Sequence, residues 1–292
     1  MASMRDIKRR RAGVESTQQI TKAMKLVSTV KLQRAKDRAL RSKTYFHSMY
    51  QTVKSLLSKT GNVDVAYTKK QDCEKKAVIV ITSNRGLAGG YNSNVVKMIT
   101  QSDFKKEDLE IYAIGKKGRE LLERRGYHIA EELSDLMEEF EYADTIKVCD
   151  RIMHRFEKGE IGEIYLAYTN FKNTVSHIPT LIKLLPILPE DGLVGEDENN
   201  FLEDENSLIM NFEPEDVDAL RMIIPKYVSS LLYGALIEAT ASENGARMQA
   251  MDNATNNAEE MISSLTLKYN RARQGSITQE LTEIIAGAEA IS

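Results

Sequence analysis

Apolar residues in the first part of the chain recur at helical spacing over a long stretch. Residues 4–58 contain no Pro and a single Gly, Gly13. The apolar positions, three or four residues apart within each group, form a narrow stripe on an otherwise charged helix: Ile20, Met24, Val27, and later Phe46, Met49, Val53 and Leu56. A narrow stripe is typical of a helix that packs against one partner helix, so residues 1–58 are predicted to be one arm of a coiled coil.

The pattern changes in the middle of the chain. Thr60-Gly61-Asn62 predicts a helix end, and residues 59–75 a linker. Beyond it, apolar runs typical of buried strands alternate with helical segments. Strands are predicted at 77–81, 109–114, 164–169 and 175–185, the last two adjacent, and helices from about residue 92, at 116–125 and at 144–157. This alternation predicts a Rossmann-like α/β domain over residues 76–210.

A second long helix is predicted for residues 211–292. Pro214 suits its first turn, whereas Pro225 is expected to kink or break it. Mostly small residues then follow at spacings of three or four: Leu231, Ala235, Ala239, Ser242, Ala246, Ala250, Ala254 and Ala258. Because small residues let two helices approach closely, this segment is expected to pack along residues 1–58.

The predicted fold class is therefore α/β, with a long antiparallel coiled coil of the N- and C-terminal helices and an inserted Rossmann-like α/β domain. At the helical rise, the two arms would be about 80 and 110 Å long, so the second would project past the first. Residues 190–205 hold eight acidic residues and no Lys or Arg. They are predicted to form an exposed acidic loop.

Charge is distributed unevenly along the chain. Residues 1–60 hold 15 Lys and Arg against three acidic residues, a balance of +12; because the whole chain carries −3, the remainder carries −15. A basic helix of this kind indicates an acidic partner, which could be a protein or a nucleic acid, or else a well-solvated surface. The sequence contains no long apolar run, so neither a signal peptide nor a membrane span is predicted.

Candidate chemistry is sparse. The turn Gly86-Leu87-Ala88-Gly89-Gly90 follows a predicted strand, but neither GxGxxG nor GxxxxGK[ST] is present, so a tight structural turn is favoured over a phosphate site. Cys73 and Cys149 are expected to be isolated thiols, and the four histidines form no recognisable motif. No cofactor, metal site or catalytic group is predicted.

Polar residues of the second long helix are the better candidates. Arg247 lies in an Ala-rich stretch, and Gln274, Thr278, Glu280 and Thr282 cluster near the end. They are either an ordinary exposed face or a set of hydrogen-bonding groups for a ring of partner subunits.

Four motifs, in order along the chain, resemble those of the gamma subunits of F-type ATP synthases. They are Thr17-Gln18-Gln19-Ile20-Thr21-Lys22-Ala23-Met24-Lys25-Leu26-Val27, the segment 82–92 around Arg85-Gly86-Leu87, the segments 242–248 and 250–255 on either side of Gln249, and Ile277-Thr278-Gln279-Glu280-Leu281-Thr282-Glu283-Ile284-Ile285-Ala286-Gly287-Ala288. Ala88 stands where that family often has Cys.

The resemblance implies a rotating central stalk that is not itself an enzyme. Three alpha and three beta subunits would surround its coiled coil, and the α/β domain would meet the epsilon subunit and the membrane c-ring. Arg247 and Gln274 match positions that hydrogen-bond a loop of the beta subunit. Thr278, Glu280 and Thr282 match positions nearby, and Met24 and Lys25 match the region that faces beta's acidic lever.

The resemblance also bears on place and regulation. The plastid form carries an inserted Cys pair that this chain lacks, which favours a bacterial complex on the cytoplasmic face of the plasma membrane, without redox switching. No nucleic-acid or direct nucleotide binding is expected. The competing hypotheses are a coiled-coil adaptor or nucleic-acid-binding arm that uses the basic helix, and a small-molecule enzyme built on the α/β domain.

Overall fold

A computed structural model describes residues 4–60, 65–174, 176–187 and 216–289. Two long helices begin and end this part of the chain, α1 (Met4–Thr60) and α5 (Asp216–Glu289). Compact packing divides the chain into two units, one of residues 1–29 with 247–292 and one of residues 30–246, and both helices contribute to each. The predicted acidic loop 190–205, Pro214 and Val175 lie outside the described residues.

A five-stranded sheet forms the centre of the unit 30–246. Its strands are β1 (Lys76–Ile81), β2 (Leu109–Ile114), β3 (His128–Glu132), β4 (Glu163–Phe171) and β5 (His177–Leu185). The strand order is β3-β2-β1-β4-β5, with β5 antiparallel to β4 and the other neighbours parallel. The predicted pairing of the last two strands is confirmed. Strand β3 was not predicted.

The two faces of the sheet are covered differently. Val78 and Val80 point to one face, where they pack with helices α2 (Tyr91–Thr100) and α3 (Lys116–Glu123). Ile79 and Ile81 point to the other face and share a core with α4 (Tyr142–Glu157) and with the two long helices. The long helices contribute these core residues: Val53 and Leu56 from α1, and Leu220, Ile224, Val228 and Leu232 from α5. The long helices therefore belong to the core of the α/β domain.

Helix α5 continues through Pro225, so the predicted break is wrong. Proline removes one backbone donor, which ordinarily costs about 3 kcal/mol in a helix interior. Ile224 and Val228 on either side are buried in the sheet core, and this burial offsets the loss. The Ser229 hydroxyl also donates a hydrogen bond to the Pro225 carbonyl, 2.8 Å away.

Part of the stripe of small residues on α5 is buried against the α/β domain. Ala235 and Ala239 belong to the same core as the sheet, and Ser242 is fully buried beside β4. At these positions small side chains let the helix backbone approach the sheet layer. The sequence predicted that this stripe packs against another helix. Part of it packs instead against the α/β domain.

Within the described residues, α5 contains a stretch that is long and apolar enough to cross a membrane by length and composition. The sequence pattern had indicated that no such segment existed. More than half of that stretch is buried inside the protein. This is the usual property of a core helix, and the packing just described accounts for its composition.

Candidate functional site

In the unit of residues 1–29 and 247–292, α1 and α5 pack through a seam that is largely polar on the α1 side. The α1 positions that are buried or half-buried there are Met4, Ile7, Arg11, Val14, Glu15, Gln18, Thr21, Met24, Lys25 and Ser28. On α5, the positions Met251, Thr255, Ala258, Ile262 and Leu265 are buried or half-buried at matching spacings. The hydroxyls of Thr21 and Thr255 share a hydrogen bond of 2.8 Å, and Lys25 Nζ lies 2.6 Å from Asp252 Oδ1. We call this contact the polar seam.

Apolar residues of α1 in the same unit point away from the polar seam. Ile20 and Val27 are each 58% exposed and Leu26 is 63% exposed, so the prediction that Ile20 and Val27 face the partner helix is wrong. The next residues in sequence, Thr21 and Ser28, face inward instead. Both sets have helical spacing, and they differ by one residue, or about 100° around the helix. Ile20, Leu26 and Val27 form an outer apolar stripe.

The predicted partner-binding residues occupy two regions of this unit. Met24, Lys25 and Arg247 are half-buried along the coiled coil. Lys25 forms its ion pair with Asp252, which the sequence analysis did not single out. The remaining predicted residues are all exposed near the end of α5: Gln274, Thr278, Glu280 and Thr282.

The end of α5 combines satisfied hydroxyls with exposed apolar side chains. Thr278 and Thr282 donate to carbonyls one turn earlier in their own helix, at 2.9 and 2.8 Å. The side chains that remain available there are largely apolar. The exposed apolar residues, which we call the tip stripe, are Ile277, Leu281, Ile284 and Ile285. An exposed apolar row of this length is typical of a surface that binds another protein.

A basic groove lies in the other unit, between α1, the turn after β3 and α5. Its volume is about 210 Å³. Lys31, Arg34 and Arg38 line the α1 side, Phe140 and Ile237 provide apolar surface, and Glu138 and Glu243 also line the groove. Within the part of the chain that the structure describes, Lys31 and Arg34 have no ion-pair partner, while Arg38 lies over the Phe140 ring. The α1 side of the groove is therefore basic, in line with the charge distribution along the chain.

The Gly-rich segment after β1 is a closed turn. Leu87 and Gly89 adopt left-handed backbone angles, φ 62° and 56°. The Asn92 side chain accepts a hydrogen bond from the Ser83 amide at 2.9 Å and donates one to the Ser83 hydroxyl at 2.8 Å. These bonds tie the two ends of the turn together.

Helix α5 fills the crevice in which doubly wound sheets commonly bind ligands. That crevice lies beyond the carboxyl ends of the strands where the strand order reverses, here between β1 and β4. Tyr91, which follows the turn after β1, donates to the Ala239 carbonyl at 3.2 Å. Ser242 donates to the Thr169 carbonyl of β4 at 3.1 Å. All four residues are buried, so the chain's own helix takes the place of a ligand.

Charged groups cluster at the opposite end of the sheet. Glu110 accepts hydrogen bonds from Arg155 at 2.6 Å and Lys75 at 3.2 Å. Burial acts to raise the pKa of Glu110, but the hydrogen bonds from Arg155 and Lys75 outweigh it and hold that pKa below its ordinary value. Glu163 pairs with Lys76 and Lys183. Burial acts to raise its pKa as well, but these cationic partners outweigh burial and lower the pKa.

The two cysteines are free thiols in different surroundings. Cys73 is half-buried and Cys149 buried, both as free thiols, and burial raises the pKa of Cys149 to about 12. In the described ranges no group of three His, Cys, Asp or Glu residues is arranged to hold a metal ion.

Comparison with known proteins gives matches over the whole chain. The protein-family profile described as ATP synthase matches residues 3–291. The ATP synthase gamma chain of Lachnoclostridium phytofermentans is 61% identical over 292 residues, covering all of both chains. The sodium-ion-specific ATP synthase gamma chain of Acetobacterium woodii is 39% identical, covering 99% of each chain.

Solved structures show the same fold at low identity. One is a chain of the Euglena gracilis mitochondrial ATP synthase containing OSCP, F1 and the c-ring in rotational state 3. It aligns with a TM-score of 0.68 at 18% identity, covering 99% of this chain and 94% of that one. A chain of the Tetrahymena thermophila mitochondrial central stalk and c-ring aligns with a TM-score of 0.58 at 20% identity, covering 80% and 99%.

Proposed function

Because the chain belongs to the ATP synthase gamma chain family, we propose that it is the rotating central stalk of a bacterial F-type ATP synthase. In this role it couples ion flow through a membrane c-ring to ATP synthesis or hydrolysis at the beta subunits. The observation that carries the proposal is the outer apolar stripe of α1 together with the tip stripe of α5. On α1, Thr21 and Ser28 are buried while Ile20, Leu26 and Val27 are exposed, which suits a shaft enclosed by other subunits.

The proposed role is mechanical and not catalytic. The crevice of the α/β domain is occupied by α5 through Tyr91 and Ser242, which favours a domain that binds no nucleotide. ATP chemistry then belongs to the beta subunits. The coupling ion would be selected in the c-ring, which suits a family in which one relative is named sodium-ion specific.

The proposed partners are three alpha and three beta subunits, the epsilon subunit and the c-ring. Residues proposed to contact the beta subunits are Met24, Lys25, Arg247, Gln274, Thr278, Glu280 and Thr282. Exposure of the last four supports this proposal, as does the tip stripe beside them. The basic side of the groove, at Lys31, Arg34 and Arg38 of α1, supports the proposal of an acidic partner there.

The proposed organisation is a coiled-coil arm over residues 1–58, a linker over 59–75, an α/β domain over 76–210 and a second arm over 211–292. The complex would lie on the cytoplasmic face of the bacterial plasma membrane. The chain would be peripheral there, held through the c-ring.

The direct test is Mg-ATP hydrolysis by the chain alone and after co-expression with its alpha and beta subunits. We expect an inactive chain and an active co-purified complex. Arg247→Ala and Gln274→Ala should each lower that activity, by about tenfold if one hydrogen bond to a charged group is lost. Gln249→Ala, on an exposed part of the same helix, is the matched control and should leave activity unchanged.

Three results would contradict the proposal: turnover by the isolated chain, no association with alpha and beta, or equal losses in the control. Tight, salt-dependent binding to nucleic acid with no subunit association would instead support the adaptor hypothesis.

A further inference from the structure

Helix α5 meets the α/β domain along one face at Ala239, Ser242 and Gly245. From these contacts we propose that they form a mechanical joint, which keeps α5 from turning against the sheet when rotation passes through the chain. This inference rests on the proposed function. It names Tyr91, Ser242 and Gly245 as positioning residues for coupling.

The first part of the joint consists of two side-chain hydrogen bonds, one to the backbone of the sheet and one to the backbone of α5. Ser242 of α5 donates to the Thr169 backbone of β4, and Tyr91 of α2 donates to the Ala239 backbone of α5. Ser242 is fully buried and Tyr91 is 4% exposed, so water does not compete for these bonds. Each bond fixes the rotational setting of α5, because a hydrogen bond is directional.

The second part is a close approach at Gly245. A Cβ atom at this position would lie 2.7 Å from His177 Cε1 and 3.6 Å from the Phe171 ring. The rings of Phe171 and His177 contact each other at the end of the β4–β5 hairpin, with centroids 5.9 Å apart. The helix backbone therefore packs directly on the imidazole, and any larger residue would displace either the imidazole or α5.

These contacts differ in kind from the rest of the interface. Apolar burial between α5 and the sheet is large and holds the helix in the core, but it sets no single bond direction at Ala239, Ser242 and Gly245. Directional bonds and a fitted backbone contact resist rotation. Their loss should therefore uncouple rotation more than it unfolds the domain.

The test uses the complete membrane complex in inverted vesicles, with ATP hydrolysis and ion uptake measured together. Gly245→Ala should retain ATP hydrolysis but lose much of the ion uptake per ATP. Adding His177→Ala removes the imidazole that the new methyl group would strike, and should restore uptake. Gly234→Ala is the matched control in the same helix, since its Cβ would lie at an ordinary 3.5 Å from Phe46.

A second pair of variants covers the case in which Gly245→Ala fails to assemble. Ser242→Ala should lower uptake per ATP, whereas Ser230→Ala should not, because buried Ser230 donates only within its own helix to the Tyr227 carbonyl. Unchanged uptake per ATP in both Gly245→Ala and Ser242→Ala would overturn the joint, as would equal losses in the two controls. A wild-type complex that neither hydrolyses ATP nor takes up ions would instead refute the proposed function.

Discussion

Glu110 illustrates how a carboxylate can be nearly buried and still remain ionised. Its side chain is 10% exposed, yet Arg155 and Lys75 both donate to it. Because its pKa is lower in the folded chain than in the unfolded one, ionised Glu110 contributes stability above its ordinary pKa. That contribution is lost as pH falls through the lowered pKa. Glu163, also with a lowered pKa, acts in the same direction.

Glu110→Gln should therefore destabilise the chain at neutral pH by about 1–3 kcal/mol, the range for a buried hydrogen-bonded charge. The difference from wild type should shrink as pH falls below about 4, because the unfolded wild-type chain takes up a proton at Glu110 before the folded chain does. Urea unfolding at pH 7 and pH 3.5 measures both values. Exposed Glu74 has no ion-pair partner among the described residues, and Glu74→Gln is the control. A pH-independent difference would contradict the prediction.

At the scale of elements, the polar seam assigns Lys25 a partner within the chain. Lys25 and Asp252 are 40% and 45% exposed, so their ion pair should contribute about 1 kcal/mol or less. Lys25→Asp should lower the thermal midpoint of the isolated chain, and adding Asp252→Lys should restore it, because the exchanged pair has the same attraction. Circular dichroism follows the transition. Arg9→Asp, at an exposed pair within one helix, is the control.

The same variants separate the two roles considered for Lys25. If its main partner is Asp252, the exchanged pair should support normal ATP hydrolysis in the co-purified complex. Normal stability with lost hydrolysis would show that the Lys25 ammonium is needed by a beta subunit.

Sequence patterns predicted the elements well where local signals were strong. The strand at 109–114 was predicted with both ends correct, because it is a fully buried strand of mainly apolar residues. Strand β3 was missed because His-Ile-Ala-Glu-Glu has no apolar run, and it is defined by its pairing with β2 at the sheet edge. Ile20 and Val27 were misassigned because they point outward, whereas Met24, Phe46, Met49, Val53 and Leu56 of the same predicted stripe are half-buried or buried.

The candidate site was predictable only in part. The residues proposed to contact partner subunits were chosen from motifs, whereas the Lys25–Asp252 pair required the relative register of two helices 227 residues apart in sequence. The joint at Gly245 depends on a histidine brought close by the fold. Neither contact leaves a periodic signal in one sequence.

At the scale of the whole chain, stability should be unequal between the two units. Residues 77–81 of β1 are at most 1% exposed, whereas few α1 positions up to residue 28 are buried. Local opening follows the amount of buried apolar contact. Amide hydrogens of α1 up to residue 28 should thus exchange faster than those of β1 and α4 in the isolated chain. Hydrogen-exchange mass spectrometry would show this, and uniform protection would contradict it.

The outer apolar stripe and the tip stripe have a consequence for the life of the chain in a cell. Chaperones and quality-control proteases recognise apolar side chains that remain in water, and a newly made copy presents Ile20, Leu281 and Ile284 in that state. Enclosure by other subunits removes the signal. Copies made in excess would be degraded, so the surface that serves assembly would also set the stoichiometry of the subunit without a dedicated regulator.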